Sequence, residues 1–345
     1  MSTVSNATRI FLAPAPRAVT DIFDVQDLAA LQKLGELIIH EGGPVTDAVF
    51  NEKVLGSTLI IGQFDLPAER LAQLPHLKAI VNVEGNFLPN IDYAYCFSHG
   101  VRVLNVSPVF AEPVAEVALG MAIDLARGVS RSDRHFRQQR EQYGLDANRD
   151  AYSLFRQKVG FIGMGDLGRA IVPLLKPFGC DIIAYDPWLP DDYLSGLGCQ
   201  AVSLEQVLQK ARIVFVVAGV TAQNQGFLDA AQFASMQPGA SLILVSRAGV
   251  VDFDAMLDAA DSGHIRVATD VFPVEPVPAD HRLRRIENLL LSPHQAGAME
   301  AALQQIGKRV VADVQLIARG IAPVMCKIAQ PESVSLFRSK PVDKS

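Results

Sequence analysis

Cysteine is scarce in this chain. The four that occur, Cys96, Cys180, Cys199 and Cys326, lie far apart, with no CxxC pair and no cysteine–histidine cluster. That pattern argues for a reducing compartment and against a zinc site, so no metal is expected. A basic stripe is also missing: the formal net charge is -6 and the basic residues are scattered, so no nucleic-acid partner is expected. The same acidic balance gives no broad attraction for small anions, and an anionic substrate would need a local positive site. No apolar run approaches the roughly 20 residues of a membrane span. The opening stretch MSTVSNATRIFLAPAP lacks a basic start followed by an apolar segment. No export signal and no membrane partner are therefore expected, and the chain reads as cytoplasmic.

What is present reads as globular: 345 residues, 49% hydrophobic and 20% charged, enough for two domains that each bury a core. In the first third, RIFLAP, ELIIHEG, TLIIG, LKAIVN and VRVLNV read as buried strands. Between them, LAALQKLG and AERLAQLP have helical spacing. Such alternation predicts a doubly wound parallel sheet with helices on both faces. Pro113 is then expected to open a helix, PVAEVALGMAIDLARG, because the amide it lacks has no partner in a first turn. Apolar residues circle that helix almost completely, so burial between domains or subunits is expected. Residues 131–152 read as exposed and partly helical, and the tail after about 330 as polar and mobile.

A second alternation begins at Val159. VGFIGMG, DIIAYD, RIVFVVAG, ASLILVS, IRVATDV and NLLLSP give six strand-like segments, most of them separated by helices. This is the pattern of a complete dinucleotide-binding sheet. A last helix over about 299–319 has apolar positions at Ile306, Val310, Val314 and Ile317.

The run Gly163-Met164-Gly165-Asp166-Leu167-Gly168 fits GxGxxG, follows an apolar strand and leads into a helix. Gly163 suits the tight turn, Gly165 the close approach of a pyrophosphate, and Gly168 the packing of helix on strand. Asp186 ends the next strand, 18 residues past Gly168. A carboxylate there can accept ribose hydroxyls and repel a 2′-phosphate, and no arginine stands in residues 187–190, so NAD is the expected cofactor. An unrelated glycine turn with a solvated aspartate is the plainer alternative. Pro173 interrupts this helix and is expected to kink it locally.

Three later segments end where a doubly wound sheet binds ligands: Ser246-Arg247, Asp270 to Glu275, and Ser292-Pro293-His294. A histidine can donate the proton that reduction of a carbonyl beside a nicotinamide requires. A neighbouring Glu275 would favour the charged imidazolium and fix the ring. The planar guanidinium of Arg247 can grip a carboxylate. Taken singly, an arginine at a strand end is ordinarily a salt-bridge partner and a glutamate before proline a loop residue. His281 is a rival histidine, but its neighbours Asp280 and Arg282 read as an exposed charged loop.

With LKAI…NID, the PVAE helix, VGFIGMGDLG, SRAGVVD, DVFPVEP and SPHQAG in this order, the chain resembles the D-isomer-specific 2-hydroxyacid dehydrogenases over nearly its whole length. The resemblance implies two doubly wound α/β domains: a flavodoxin-like substrate domain, 1–112 plus 298–345, and a Rossmann NAD-binding domain, 113–297. It implies an NAD-dependent oxidoreductase reducing a small 2-keto acid such as glyoxylate or hydroxypyruvate. Arg247, Glu275 and His294 would form its active site. Gly163, Gly165, Asp166, Leu167, Gly168, Asp186, Val245 and Asp270 would hold the cofactor, with Asp270 on the nicotinamide carboxamide. It also implies a homodimer contacting through the 113–128 helix. Two alternatives share the scaffold: an NAD-sensing corepressor-like binding protein, and phosphite oxidation. Formate oxidation is disfavoured, since that branch carries glutamine where Glu275 stands.

The chain departs from the family pattern in two places. The substrate-carboxylate loop reads Val81-Asn82-Val83-Glu84-Gly85-Asn86-Phe87-Leu88-Pro89, with one glycine and with Glu84 where an anion is expected nearby. Either Glu84 points away while the amides at Glu84 and Gly85 still bind substrate, or the substrate is unusual. Val217 and Gly219 stand where histidine and proline are common in the family.

Overall fold

The computed structural model describes residues 8–338. The first seven residues of the polar opening stretch and the last seven of the tail lie outside the described residues. The chain divides into two compact units, residues up to 110 together with those from 298 on, and residues 111–297.

In the first unit the strands are β1 (Thr8–Ala13), β2 (Gly35–Ile39), β3 (Leu59–Gly62), β4 (Ala79–Asn82) and β5 (Arg102–Asn105). They are mutually parallel in the order β5-β4-β3-β1-β2, and the short strand Lys327–Ile328 adds antiparallel to β5. β3 and β4 are buried at every position, as expected where helices cover both faces of a parallel sheet. The helix Glu300–Ala318 covers one face. Its Ile306, Val310, Val314 and Ile317 join Ile10, Leu12, Leu59 and Leu104 in one apolar cluster. Asp313 of that helix is fully buried and accepts hydrogen bonds from the amides of Val324, Met325 and Cys326, turning the chain back towards the edge strand. The expectation of a mobile tail is corrected here. Residues Pro331–Val334 form a further helical turn, and Val334 and Phe337 pack on the cluster around Phe11 and Phe50, where their apolar surface leaves water.

The second unit holds β6 (Lys158–Ile162), β7 (Asp181–Tyr185), β8 (Gln200–Ala201), β9 (Ile213–Val216), β10 (Ser241–Leu244), β11 (Arg266–Thr269) and β12 (Leu289–Leu291). All are parallel, in the order β12-β11-β10-β9-β6-β7-β8. The order reverses between β6 and β9, which makes that point the crevice of a doubly wound sheet. The sequence pattern yields six strands and the structure seven, because the two-residue β8 carries no apolar run. The helix expected to open at Pro113 begins earlier: it spans Ser107–Arg127, with Pro113 inside it. The proline near its start is Pro108, and Asn105 Oδ1 accepts the Ser107 amide there at 3.0 Å. Pro173 does not end its own helix, Asp166–Leu175.

All four cysteines are free thiols, and burial pushes Cys96 up to about 12 and Cys199 up to about 11. Among the described residues, no group of three or more His, Cys, Asp or Glu side chains is placed to hold a metal ion. No described helix is long and apolar enough to cross a membrane.

Candidate active site

Every residue singled out in the second unit follows the carboxyl end of a strand. Gly163 closes β6 with φ +89°, and a Cβ there would lie 2.7 Å from the Ala218 backbone. Only glycine fits so close an approach at positive φ. At Gly168 an added Cβ would meet Met164 Sδ at 2.9 Å and the Gly163 carbonyl at 3.2 Å, so the helix sits tight on the turn. Gly165 differs: a Cβ there would enter open space, with nothing within 4 Å. The backbone at the start of the helix Asp166–Leu175 is thus bare at its middle glycine, and a helix N-terminus presents amides and the positive end of its dipole. This cradle fits a dinucleotide pyrophosphate. The Asp166 carboxylate is paired with Arg169 at 2.5 Å, and Leu167 is half-buried. Val217 lies buried beside Gly168, while Gly219 is exposed.

Asp186 follows β7. Its Oδ2 accepts the Met164 amide at 2.8 Å and its Oδ1 the Trp188 amide at 2.9 Å, so two backbone donors fix the carboxylate beside the glycine turn.

Three adjacent strands, β10, β11 and β12, carry the remaining groups. Neighbouring strands stand about 4.8 Å apart, so their exit turns share one edge. Val245 is buried just past β10, and the Ser246 hydroxyl donates to the Val216 carbonyl. Arg247 is half-buried, and its Nη1 donates to the Ser246 carbonyl at 2.7 Å.

The turns after β11 and β12 are clasped together by two carboxylates. Glu275 Oε2 lies 2.6 Å from His294 Nδ1, and Glu275 Oε1 accepts the Phe272 amide at 2.9 Å. Asp270 is 2% exposed. Its Oδ1 accepts from the Ser292 hydroxyl and from the Gln295 amide at 3.1 Å, and its Oδ2 from the Ala296 amide at 3.1 Å. Between these contacts His294 has φ +52°, and its amide donates to the Ser292 carbonyl at 3.0 Å. The left-handed conformation costs a non-glycine residue about 1–2 kcal/mol and has to be held by its surroundings. The His294 and Glu275 side chains are about one-third exposed, open enough to meet a small molecule.

His281, the rival histidine, caps the short turn Arg282–Arg285 by accepting the Leu283 amide, and nothing ties it to Glu275. The sequence reading missed three features. Ser292 and the turn amides are partners of Asp270, and no short motif marks them. In the first unit, Glu84 is paired with Arg17 at 2.9 Å, with side chains 16% and 14% exposed. Gln63, after β3, ties the exit turns of β1 and β4 together: its Nε2 donates to the Ala15 carbonyl at 2.6 Å, and its Oε1 accepts the Val83 amide at 3.2 Å.

A glycine turn at the switch point of a doubly wound sheet, with a fixed carboxylate after the next strand, defines an NAD(P)-binding α/β domain. The sequence model for the NAD binding domain of the D-isomer specific 2-hydroxyacid dehydrogenases matches residues 119–296. The chain belongs to that family. It is 41% identical to a phosphoglycerate oxidoreductase from Rhizobium etli whose crystal structure superposes with a TM-score of 0.85, covering 95% of this chain and 100% of that one. Curated relatives include the D-3-phosphoglycerate dehydrogenase of Mycobacterium leprae, 30% identical over 73% of this chain and 47% of that protein. Another is the glyoxylate reductase of Korarchaeum cryptofilum, 28% identical over 81% of this chain and 85% of that protein. The chain spans about half the length of the curated phosphoglycerate dehydrogenases it matches.

Proposed function

We propose that the protein is an NAD-dependent oxidoreductase that reduces a small 2-keto acid of the glyoxylate or hydroxypyruvate kind to the D-2-hydroxy acid. The carrying observation is the 2.6 Å contact of His294 Nδ1 with Glu275 beyond β11 and β12, on a sheet whose β6 turn fits a dinucleotide. Gly163, Gly165, Asp166, Leu167, Gly168, Asp186, Val245 and Asp270 are the residues assigned to hold the cofactor, with Asp270 on the nicotinamide carboxamide. Backbone amides meet the pyrophosphate, while Arg169 balances the Asp166 charge. The Asp186 carboxylate favours NAD, because a 2′-phosphate beside it would put like charges together.

When bound, reduced nicotinamide supplies the hydride that the carbonyl carbon takes up. His294 directs Nδ1–H at Glu275, so Nε2 is the nitrogen left to deliver a proton to the carbonyl oxygen. Glu275 stabilises the imidazolium before transfer and holds the ring in one orientation. Arg247 binds the substrate carboxylate and polarises the carbonyl through its planar donors. In the first unit, the amides at Glu84 and Gly85 are the family-derived candidates for the carboxylate's other contacts, and Arg17 cancels the charge of Glu84.

A homodimer goes with this reading. In the helix Ser107–Arg127, Val114, Ala118, Met121, Ala122 and Leu125 are buried within one chain, while Val117, Leu119 and Ile123 stay partly exposed and are candidate contacts. Val129, Phe136, Tyr143 and Leu145, just beyond it, are exposed and extend that candidate surface. Light scattering on the purified protein reads the oligomeric state.

The test of function is a panel of 2-keto acids run with NADH and NADPH in parallel. Turnover is expected with at least one small 2-keto acid. NADH should be preferred on the order of 100-fold, since like-charge juxtaposition costs several kcal/mol. No turnover across the panel sinks the proposal.

A further inference from the structure

We infer that the Arg17–Glu84 pair determines substrate charge: it keeps the loop after β4 neutral and so selects keto acids whose far end is uncharged, against phosphorylated and dicarboxylic ones. The inference rests on the proposed reduction of a 2-keto acid and deepens it by naming the charge class of the substrate.

The pair is a built feature of the first unit. Glu84 lies two residues past β4 and Arg17 four residues past β1, and Arg17 Nη2 donates to Glu84 Oε2 at 2.9 Å. The main chain holds both ends. The Glu84 carbonyl accepts the Val106 amide at 3.2 Å, and the Arg17 amide donates to the Pro14 carbonyl at 3.1 Å. Gln63 links the two turns, with Oε1 on the Val83 amide and Nε2 on the Ala15 carbonyl. Phe110 closes the site from another side. The guanidinium carbon lies 5.8 Å from its ring centroid, within cation–π range. A Cβ at Gly85 would come within 3.1 Å of the same ring. Arg17 Nε is shut off from solvent, so it offers nothing to a ligand. The guanidinium thus has its face on an aromatic ring and one edge on a carboxylate.

An arginine beside a substrate loop could instead receive a second anionic group, with Glu84 a placeholder that leaves when the ligand arrives. Burial decides against that. The Glu84 side chain is 16% exposed and the Arg17 side chain 14%, so the carboxylate would have to abandon the partner that compensates its lost hydration. If Glu84 stays, a phosphate ester with about two negative charges at pH 7 approaches a carboxylate in a loop of zero net charge. Either course penalises the phosphorylated substrate. A hydroxymethyl or aliphatic end meets neither penalty.

The experiment compares kcat/KM with NADH for two couples of keto acids. One is hydroxypyruvate and its 3-phosphate ester. The other is 2-ketovalerate and 2-ketoglutarate, which differ by a methyl against a carboxylate. Wild type should prefer the uncharged member of each couple by roughly tenfold, part of the like-charge cost being screened by solvent. Glu84→Gln leaves the Arg17 charge uncancelled. It should raise the charged-to-uncharged ratio about tenfold in both couples, mainly through KM. A merely structural role would lower both members alike and leave the ratio unmoved, and that result overturns the inference. So does a wild-type preference for the phosphate ester. Should Glu84→Gln fail to fold, Arg17→Met carries the opposite sign. The bare Glu84 should lower the ratio about tenfold, and an unchanged ratio contradicts the inference. If wild type turns over no keto acid, the enzymatic reading falls, and calorimetric titration of hydroxypyruvate and its ester reads charge selection alone. Weaker binding of the ester, relieved in Glu84→Gln, leaves the selection standing. Equal binding of the two, or binding of neither, removes it.

Discussion

Two carboxylates, one in each unit, sit in exit turns at the carboxyl edge of a parallel sheet and are held in opposite ways. Asp270 is gripped by neutral donors, two amides and a hydroxyl, all from a single turn. Glu84 is gripped by a guanidinium from another turn, 67 residues away in sequence. The first arrangement leaves the negative charge in place and fixes backbone shape. The second discharges the carboxylate and leaves the loop neutral. A turn that must present a histidine at a strained φ needs the first. A loop assigned by resemblance to an anionic substrate needs the second, because an unpaired Glu84 would repel what the loop is meant to hold.

The comparison can be broken in stages. The largest effect after loss of His294 itself is expected for Glu275→Gln. It keeps the size of the side chain but removes the charge facing His294, so kcat should fall roughly 100-fold, within the range of acid–base contributions. Tm should barely move, because the pair is one-third exposed. A Tm loss without a kcat loss would recast the pair as structural. Next comes the Arg17–Glu84 pair. Arg17→Met strands a mostly buried carboxylate and should cost about 3 kcal/mol in denaturant unfolding, the lower end of what breaking a buried pair costs. It should also raise KM for the keto acid. Glu84→Gln leaves a guanidinium facing a neutral acceptor and should cost less, about 1 kcal/mol. Equal costs for the two variants would remove the distinction drawn between the turns.

The smallest effect belongs to Asp150, which lies outside both turns. Hydrogen bonds from Arg131, with the nearby Arg266 adding to them, hold its carboxyl below the ordinary value of 3.8. A lowered folded-state value stabilises the protein above about pH 3.8, and that contribution fades as pH falls through the lowered value. Asp150 is half-exposed and screened by solvent, so Asp150→Asn should cost only about 0.5 kcal/mol at pH 7. The difference in Tm from wild type should shrink as pH falls below 3.8 and through the lowered value. A difference that does not shrink on acidification would mean the pair is not the cause.

The fold was legible wherever burial writes itself as a continuous apolar run. Strands such as LIIG and SLIL, covered on both faces, leave no other reading. It was not legible where pairing alone makes a strand, as at Gln200–Ala201, or where two prolines compete to mark a helix start, as Pro108 and Pro113 do. The tail looked unstructured because Val334 and Phe337 are isolated in sequence, and only the folded core shows where they go. In the candidate site, the glycine turn was readable because its constraints are local: steric room at Gly163 and open space at Gly165 follow from neighbours a few residues off. Partners 22–26 residues away, as for Asp270, or 67 away, as for Glu84, leave no such trace.

The central claim is that the His294 imidazole is the proton donor and is not itself needed to hold the cofactor. His294→Ala, assayed by single-turnover NADH oxidation together with NADH titration, tests it most directly. NADH should bind with near wild-type affinity while oxidation slows by about 1,000-fold, the middle of the range for a positioned acid. Oxidation at the wild-type rate in that variant would contradict the account.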